Sequence, residues 1–122
     1  PVSAEPSPAA QARPGSELRV LRTFHTPSGN VSCEVLADGA LCSVASTGET
    51  FSLRGLEPGR IEPGAAVAAG SGELVPYGST LSEGAVSCSV PPSSVPRGVT
   101  CENAETGHGF EASRVAARQR AY

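Results

Sequence analysis

The 122-residue chain has no Trp, no Met and no Lys, and only five aromatic side chains, three Phe and two Tyr. So few large rings leave a small domain short of buried apolar area, and domains of that kind are commonly reinforced by cross-links. All nine basic residues are Arg and twelve acids outnumber them. The resulting formal charge of −3 excludes the clustered cationic surface on which nucleic-acid binding depends. The longest uncharged stretch, Gly84 to Pro96, is 13 residues with three prolines, against about 20 apolar residues for a membrane-spanning helix. The single Asp, Asp38, stands before Gly39 in a tight-turn pair, which leaves no acid for a Ser-His-Asp arrangement. No Cys-x-x-Cys is present and the histidines are two, His25 and His108, so neither a metal nor a cofactor is expected.

What the chain has in quantity is turn-forming residues, 14 Gly and 11 Pro. These cost about 1 and about 3 kcal/mol in a helix interior, so long helices are excluded and a mostly β fold is expected. The length suits one domain. Eight of the first ten residues are Pro, Ala or Ser. Residues 1–17 are therefore expected to be a disordered tether and 18–122 the single domain. Such a start fits an exported protein whose targeting segment has been removed. Charge is uneven: from Thr23 to Ala112 ten acids face three Arg, and from Ser113 to Tyr122 three Arg stand with no acid.

Four cysteines, Cys33, Cys42, Cys88 and Cys101, read as two disulfides and hence as an oxidising compartment, outside the cytoplasm. Laid against itself, the chain repeats. Gly29-Asn-Val-Ser-Cys33-Glu-Val35 matches Gly84-Ala-Val-Ser-Cys88-Ser-Val90 at a shift of 55. At a shift of 59, Gly39, Cys42, Ala45, Thr47, Gly48 and Phe51 match Gly98, Cys101, Ala104, Thr106, Gly107 and Phe110. The pattern predicts two duplicated hairpin units, about 29–54 and 84–114. Val31, Cys33 and Val35, like Val86, Cys88 and Val90, alternate with polar residues in the period-2 manner of half-buried strands. A hairpin brings its own two cysteines together, which favours Cys33–Cys42 and Cys88–Cys101 over the two other pairings.

The resulting expectation is a small disulfide-stabilised antiparallel β domain with strands at about 18–25, 30–36, 40–45, 50–54, 73–76, 85–90, 98–103 and 108–112. Glu57-Pro-Gly59 and Glu62-Pro-Gly64 suit type II turns and mark 55–72 as a surface connector. Ser113 is placed to cap a short C-terminal helix, Arg114 to Arg120.

Several motifs are distinctive together: Phe24-His-Thr-Pro-Ser-Gly-Asn-Val-Ser-Cys33, Leu41-Cys42, Pro76-Tyr-Gly78, Gly98-Val-Thr-Cys101-Glu-Asn103, and Thr106-Gly-His-Gly-Phe110 followed by Ser113-Arg114. Through them the chain resembles a family of small secreted actinobacterial domains of unknown function over about Phe24 to Arg114. Members commonly carry a further pair of cysteines in the middle, whereas Phe51 to Gly84 here has none. The resemblance implies export and a Cys-paired β domain, and no activity.

The residues singled out as a binding rim are His108, between Gly107 and Gly109, its repeat counterpart Glu49, the turn residues Thr47 and Thr106, and His25 at the end of the first strand. Each also has a plain structural reading: His108 bridging strand ends, His25 at an exposed strand edge. The functional expectation is an exported or cell-envelope binding domain, not an enzyme, whose partner is a protein or envelope component. The alternative is a protease-inhibitor-like module presenting the stiff Pro91–Gly98 loop, since rigidity lowers the entropy cost of binding. A hydrolase ranks last.

Overall fold

The computed structural model describes residues 20–92, 98–113, 115 and 119–122. The tether, most of the Pro91–Gly98 loop and much of the expected C-terminal helix lie outside them. Among the described residues there are eleven strands and no helix: β1 Val20–His25, β2 Val31–Leu36, β3 Gly39–Val44, β4 Glu49–Arg54, β5 Arg60–Pro63, β6 Glu73–Leu74, β7 Thr80–Glu83, β8 Val86–Ser89, β9 Val99–Asn103, β10 Gly109–Ala112 and β11 Arg120–Ala121. They form a six-stranded sheet, β5-β4-β3-β2-β1-β6, and a five-stranded sheet, β11-β10-β9-β8-β7. All neighbours are antiparallel except β1 and β6.

The alternation read from the sequence places one side chain in two on the inner face, and cross-strand register assembles these into rows. In the larger sheet the central row is Phe24, Cys33, Cys42, Phe51 and Ile61. In the smaller it is Leu81, Cys88, Cys101, Phe110 and Ala121. The disulfides are Cys33–Cys42 and Cys88–Cys101, each between directly opposed residues with Cα atoms 4.1 and 4.0 Å apart. The two rows face each other: the Phe51 and Phe110 rings lie 5.8 Å apart, both fully buried. Residues matched in the sequence alignment have matching geometry. Ala45 and Ala104 donate to the carbonyls of Asn30 and Ala85, and Gly48 and Gly107 to those of Val44 and Asn103, at 2.7 to 2.8 Å.

Three expectations are corrected. Asp38-Gly39 is not the centre of the β2–β3 turn, because Leu36 pairs with Gly39 and leaves Ala37 and Asp38 between them. Gly39 is needed for a different reason: a Cβ there would lie 1.7 Å from the Leu53 carbonyl oxygen, and one at the matched Gly98 would lie 1.8 Å from that of Ala112. The segment 55–72 is not simply a surface connector. It contains β5, and residues 64–72 cross the outer face of the larger sheet as a strap, with Val67 buried. At the C-terminus, Arg120–Ala121 is a strand paired with Phe110 and Glu111, where a helix through Arg120 was expected. The β10 edge offers it ladder partners that no local sequence reading includes.

The side of the sandwich where β5 and β11 meet is closed by Gly59, whose N–H donates to the Tyr122 carbonyl at 2.9 Å. On the other side the chain passes from β6 to β7 through the buried Val75.

Candidate functional site

The five residues proposed as a rim do not form one. Glu49 accepts a hydrogen bond from Gln119 Nε2 at 3.0 Å, and the same amide donates to the Ser113 carbonyl, which places the Thr47–Glu49 turn beside the C-terminal end of β10. Thr106 and His108 flank the opposite end of β10, where Asn103 Nδ2 donates to the Gly55 carbonyl and Gly59 meets Tyr122. The two matched turns therefore sit at opposite ends of the sandwich, because β4 and β10 run in opposite directions across the interface. Thr106 shapes its turn, its Oγ1 accepting the His108 N–H at 3.1 Å, and Asn103 N–H donates to the His108 carbonyl. Thr47 stands in the corresponding turn, its hydroxyl 3.4 Å from the Val44 carbonyl.

His25 lies at the Glu49 end and belongs to a different construction. Along one row of the larger sheet's outer face, Thr50, Ser43, Ser32 and His25 come from four consecutive strands in register. The strap crosses over this row and each side chain bonds its backbone. Thr50 Oγ1 donates to the Gly64 carbonyl and accepts from Ala66 N–H; Ser43 Oγ accepts from Val67 N–H; Ser32 Oγ accepts from Gly70 N–H; and His25 Nδ1 donates to the Ser71 carbonyl at 3.0 Å. Ser32, Ser43 and Thr50 are buried although the alternation assigns them to the solvent side. A polar group buried this way is costly unless bonded, and the strap's backbone supplies the partners. His25 is thus a latch for the strap, neither a free strand edge nor a rim residue.

Those hydrogen bonds from the strap to the sheet's side chains all fall on that row. The next row on the same face, Thr23, Glu34, Leu41, Ser52 and Arg60, is left uncovered at its β5 end. There a depression of about 220 Å³ opens, floored by Leu41 and Ser52 and walled by Arg54, Pro58, Arg60 and Glu62. Arg54 is held by Asp38 through Nε and Nη2 at 3.1 and 3.2 Å. Arg60 and Glu62 are loosely paired at 3.9 Å, both largely exposed. Ser52 is 9% exposed, yet of the six buried hydroxyls among the described residues it alone has no hydrogen-bond partner. Beside Leu41, burial pushes the Glu34 carboxyl above the ordinary carboxylate range.

On the smaller sheet, no strap crosses the equivalent outer surface among the described residues, and the surface is polar, with Ser82 and Ser87 bonded to each other. The Tyr122 hydroxyl there donates to Glu102 Oε2, and burial first, then that bond, push the phenol up to about 12. Arg120 stacks over the Tyr122 ring at 5.4 Å.

Sequence reasoning did not find Ser52, Arg60 or the depression, since they depend on β5, a strand with one inward apolar residue, Ile61, inside what read as a connector. No family model, no curated protein and no solved structure matches the chain.

Proposed function

We propose that this chain is an exported binding module of the cell envelope or extracellular medium, built from two duplicated halves, that recognises its target by surface contact and not by catalysis. The observation that carries the reading is the approach of Cys42 Sγ to Cys101 Sγ, 3.9 Å, at the centre of the sandwich. The core is assembled around two disulfides, which form and persist in oxidising compartments. Duplication is supported by the common strand order of the two sheets and by the rows Phe24-Cys33-Cys42-Phe51-Ile61 and Leu81-Cys88-Cys101-Phe110-Ala121. Binding is supported by the uncovered row with its buried, unpartnered Ser52 hydroxyl.

Two measurements test this. Thiol labelling of the denatured chain taken directly from its native cells should find no reactive cysteine; free thiols would show a reducing compartment and overturn export. The immobilised chain should capture a specific envelope component from extract, in competition with free chain. A captured component that is chemically converted would make the protein an enzyme. A protease retained through the Pro91–Gly98 loop would make it an inhibitor.

A further inference from the structure

We propose that the depression between the outer face of β4 and β5 is a saccharide site that takes one neutral sugar ring. The inference deepens the binding-module reading and rests on it. Its floor combines an apolar patch, Leu41, with a hydroxyl that folding has buried without giving it a partner, Ser52. Leaving such a group unmatched costs free energy, commonly about 1–3 kcal/mol, which a ligand hydroxyl bonded to it would recover.

The charges decide the class. Arg54 and Arg60 in the lining are balanced by Glu57 and Glu62, so the formal charge of the lining is zero. An anion entering it meets two carboxylates, and a cation meets two guanidiniums. Arg54 is already engaged by Asp38 and Arg60 by Glu62, so no counter-ion is needed. The loosely paired, exposed Arg60 guanidinium and Glu62 carboxylate nevertheless keep N–H donors and oxygen lone pairs to spare. Neighbouring hydroxyls, which both donate and accept, match that mixed array; the C–H face of a ring matches Leu41 and Pro58. The volume of about 220 Å³ lies below the roughly 300–1,000 Å³ of pockets that enclose drug-sized ligands, which suits a single ring. With one open side and few bonds, the affinity should be weak, with Kd on the order of 1 mM.

The full ¹⁵N-labelled chain is titrated with methyl α-D-glucopyranoside, N-acetyl-D-glucosamine and D-arabinose, and separately with acetate and methylammonium, while backbone amide shifts are followed. The expected result is saturable movement of the Leu41, Ser52 and Arg60 amides with at least one sugar. Ser52→Val and Arg60→Ala should each weaken it roughly tenfold; Arg60 is exposed, so the second variant stays informative even where the first disturbs the strand. Ser82→Val, on the other sheet, should leave it unchanged. If no sugar moves these amides, or if acetate or methylammonium moves them at lower concentration, the proposal is overturned. Envelope capture separates the two readings. Capture retained without sugar shifts removes the site and leaves the binding module; sugar shifts without capture leave the site and remove an envelope target.

Discussion

Cys42 Sγ lies 3.9 Å from Cys101 Sγ, so two disulfides that each close within one sheet meet across the interface between the sheets. With sequence separations of 9 and 13, each bond contributes about 3 kcal/mol by loop closure. Reduction should therefore lower Tm by well over about 10 °C in calorimetry. Because the bonds touch, removing each Cys pair by substitution with Ala should not give additive losses. An unchanged melt after reduction would show that the apolar core suffices alone.

Phe51 and Phe110 occupy matched, fully buried positions and touch each other. In a core this poor in aromatics, Phe51→Ala and Phe110→Ala should each cost about 3–5 kcal/mol. Urea unfolding of the two single variants and the double variant should give similar single losses and a double loss that departs from their sum by about 0.5–1.5 kcal/mol. A loss below about 1 kcal/mol at either position contradicts this role.

The strap depends on the Ser32, Ser43, Thr50 and His25 row. Ser43→Ala leaves the Val67 N–H without its acceptor and removes one of the three partners of the Thr50 hydroxyl, 2.7 Å away. It should cost about 1–3 kcal/mol. Amide hydrogen exchange should accelerate at Ala66, Val67 and Gly70, while the Cys33 and Cys42 amides of the underlying strands keep most of their protection. Uniform acceleration across the sheet would mean that the strap is not a separate unit.

Glu34 titrates above the ordinary carboxylate value of 4.5 because burial disfavours its charged form. A folded pKa above the unfolded one means that this group's contribution to stability is complete below the unfolded pKa and is lost as pH rises through the folded pKa. Glu34→Gln, which cannot ionise, should raise Tm at neutral pH, and the gain should vanish below about pH 4. Equal gain at both pH values would show that charge is not the cause.

Tyr122 should ionise at about 12. Absorbance titration of a Tyr77→Phe chain isolates it. Stability due to the raised pKa is present below 10.0, the ordinary value, and is lost as pH rises towards about 12. Glu102→Gln should lower the midpoint only in part, because burial is the larger cause and the hydrogen bond to Glu102 the second. A midpoint of 10 in the parent chain would contradict the burial.

The long strands and the pairing of the cysteines were legible because each is local. Alternation over five or six residues, as in Val31-Ser-Cys-Glu-Val35, carries its own period, and a hairpin needs only its turn to set Cys33 opposite Cys42. β7 and β5 were not legible: Thr80-Leu-Ser-Glu83 and Arg60-Ile-Glu-Pro63 each hold one apolar residue, too few to show a period. They are strands because β8 and β4 present unpaired ladder edges to them.

What the sequence by itself determined is therefore the inner face of the long strands, which cysteines join, and the matched turns at Gly48 and Gly107. Only the tertiary structure decided the outer face. Alternation assigns Ser32, Ser43, Thr50 and Ser52 alike to the solvent side, and nothing local distinguishes them. The strap, arriving from a distant part of the chain, buries and bonds the first three and leaves the Ser52 hydroxyl unbonded at the floor of the depression. It likewise decided that β4 and β10 run oppositely across the interface, which sends Glu49 and His108 to different ends. That relation depends on how two sheets pack, and no spacing along the chain encodes it.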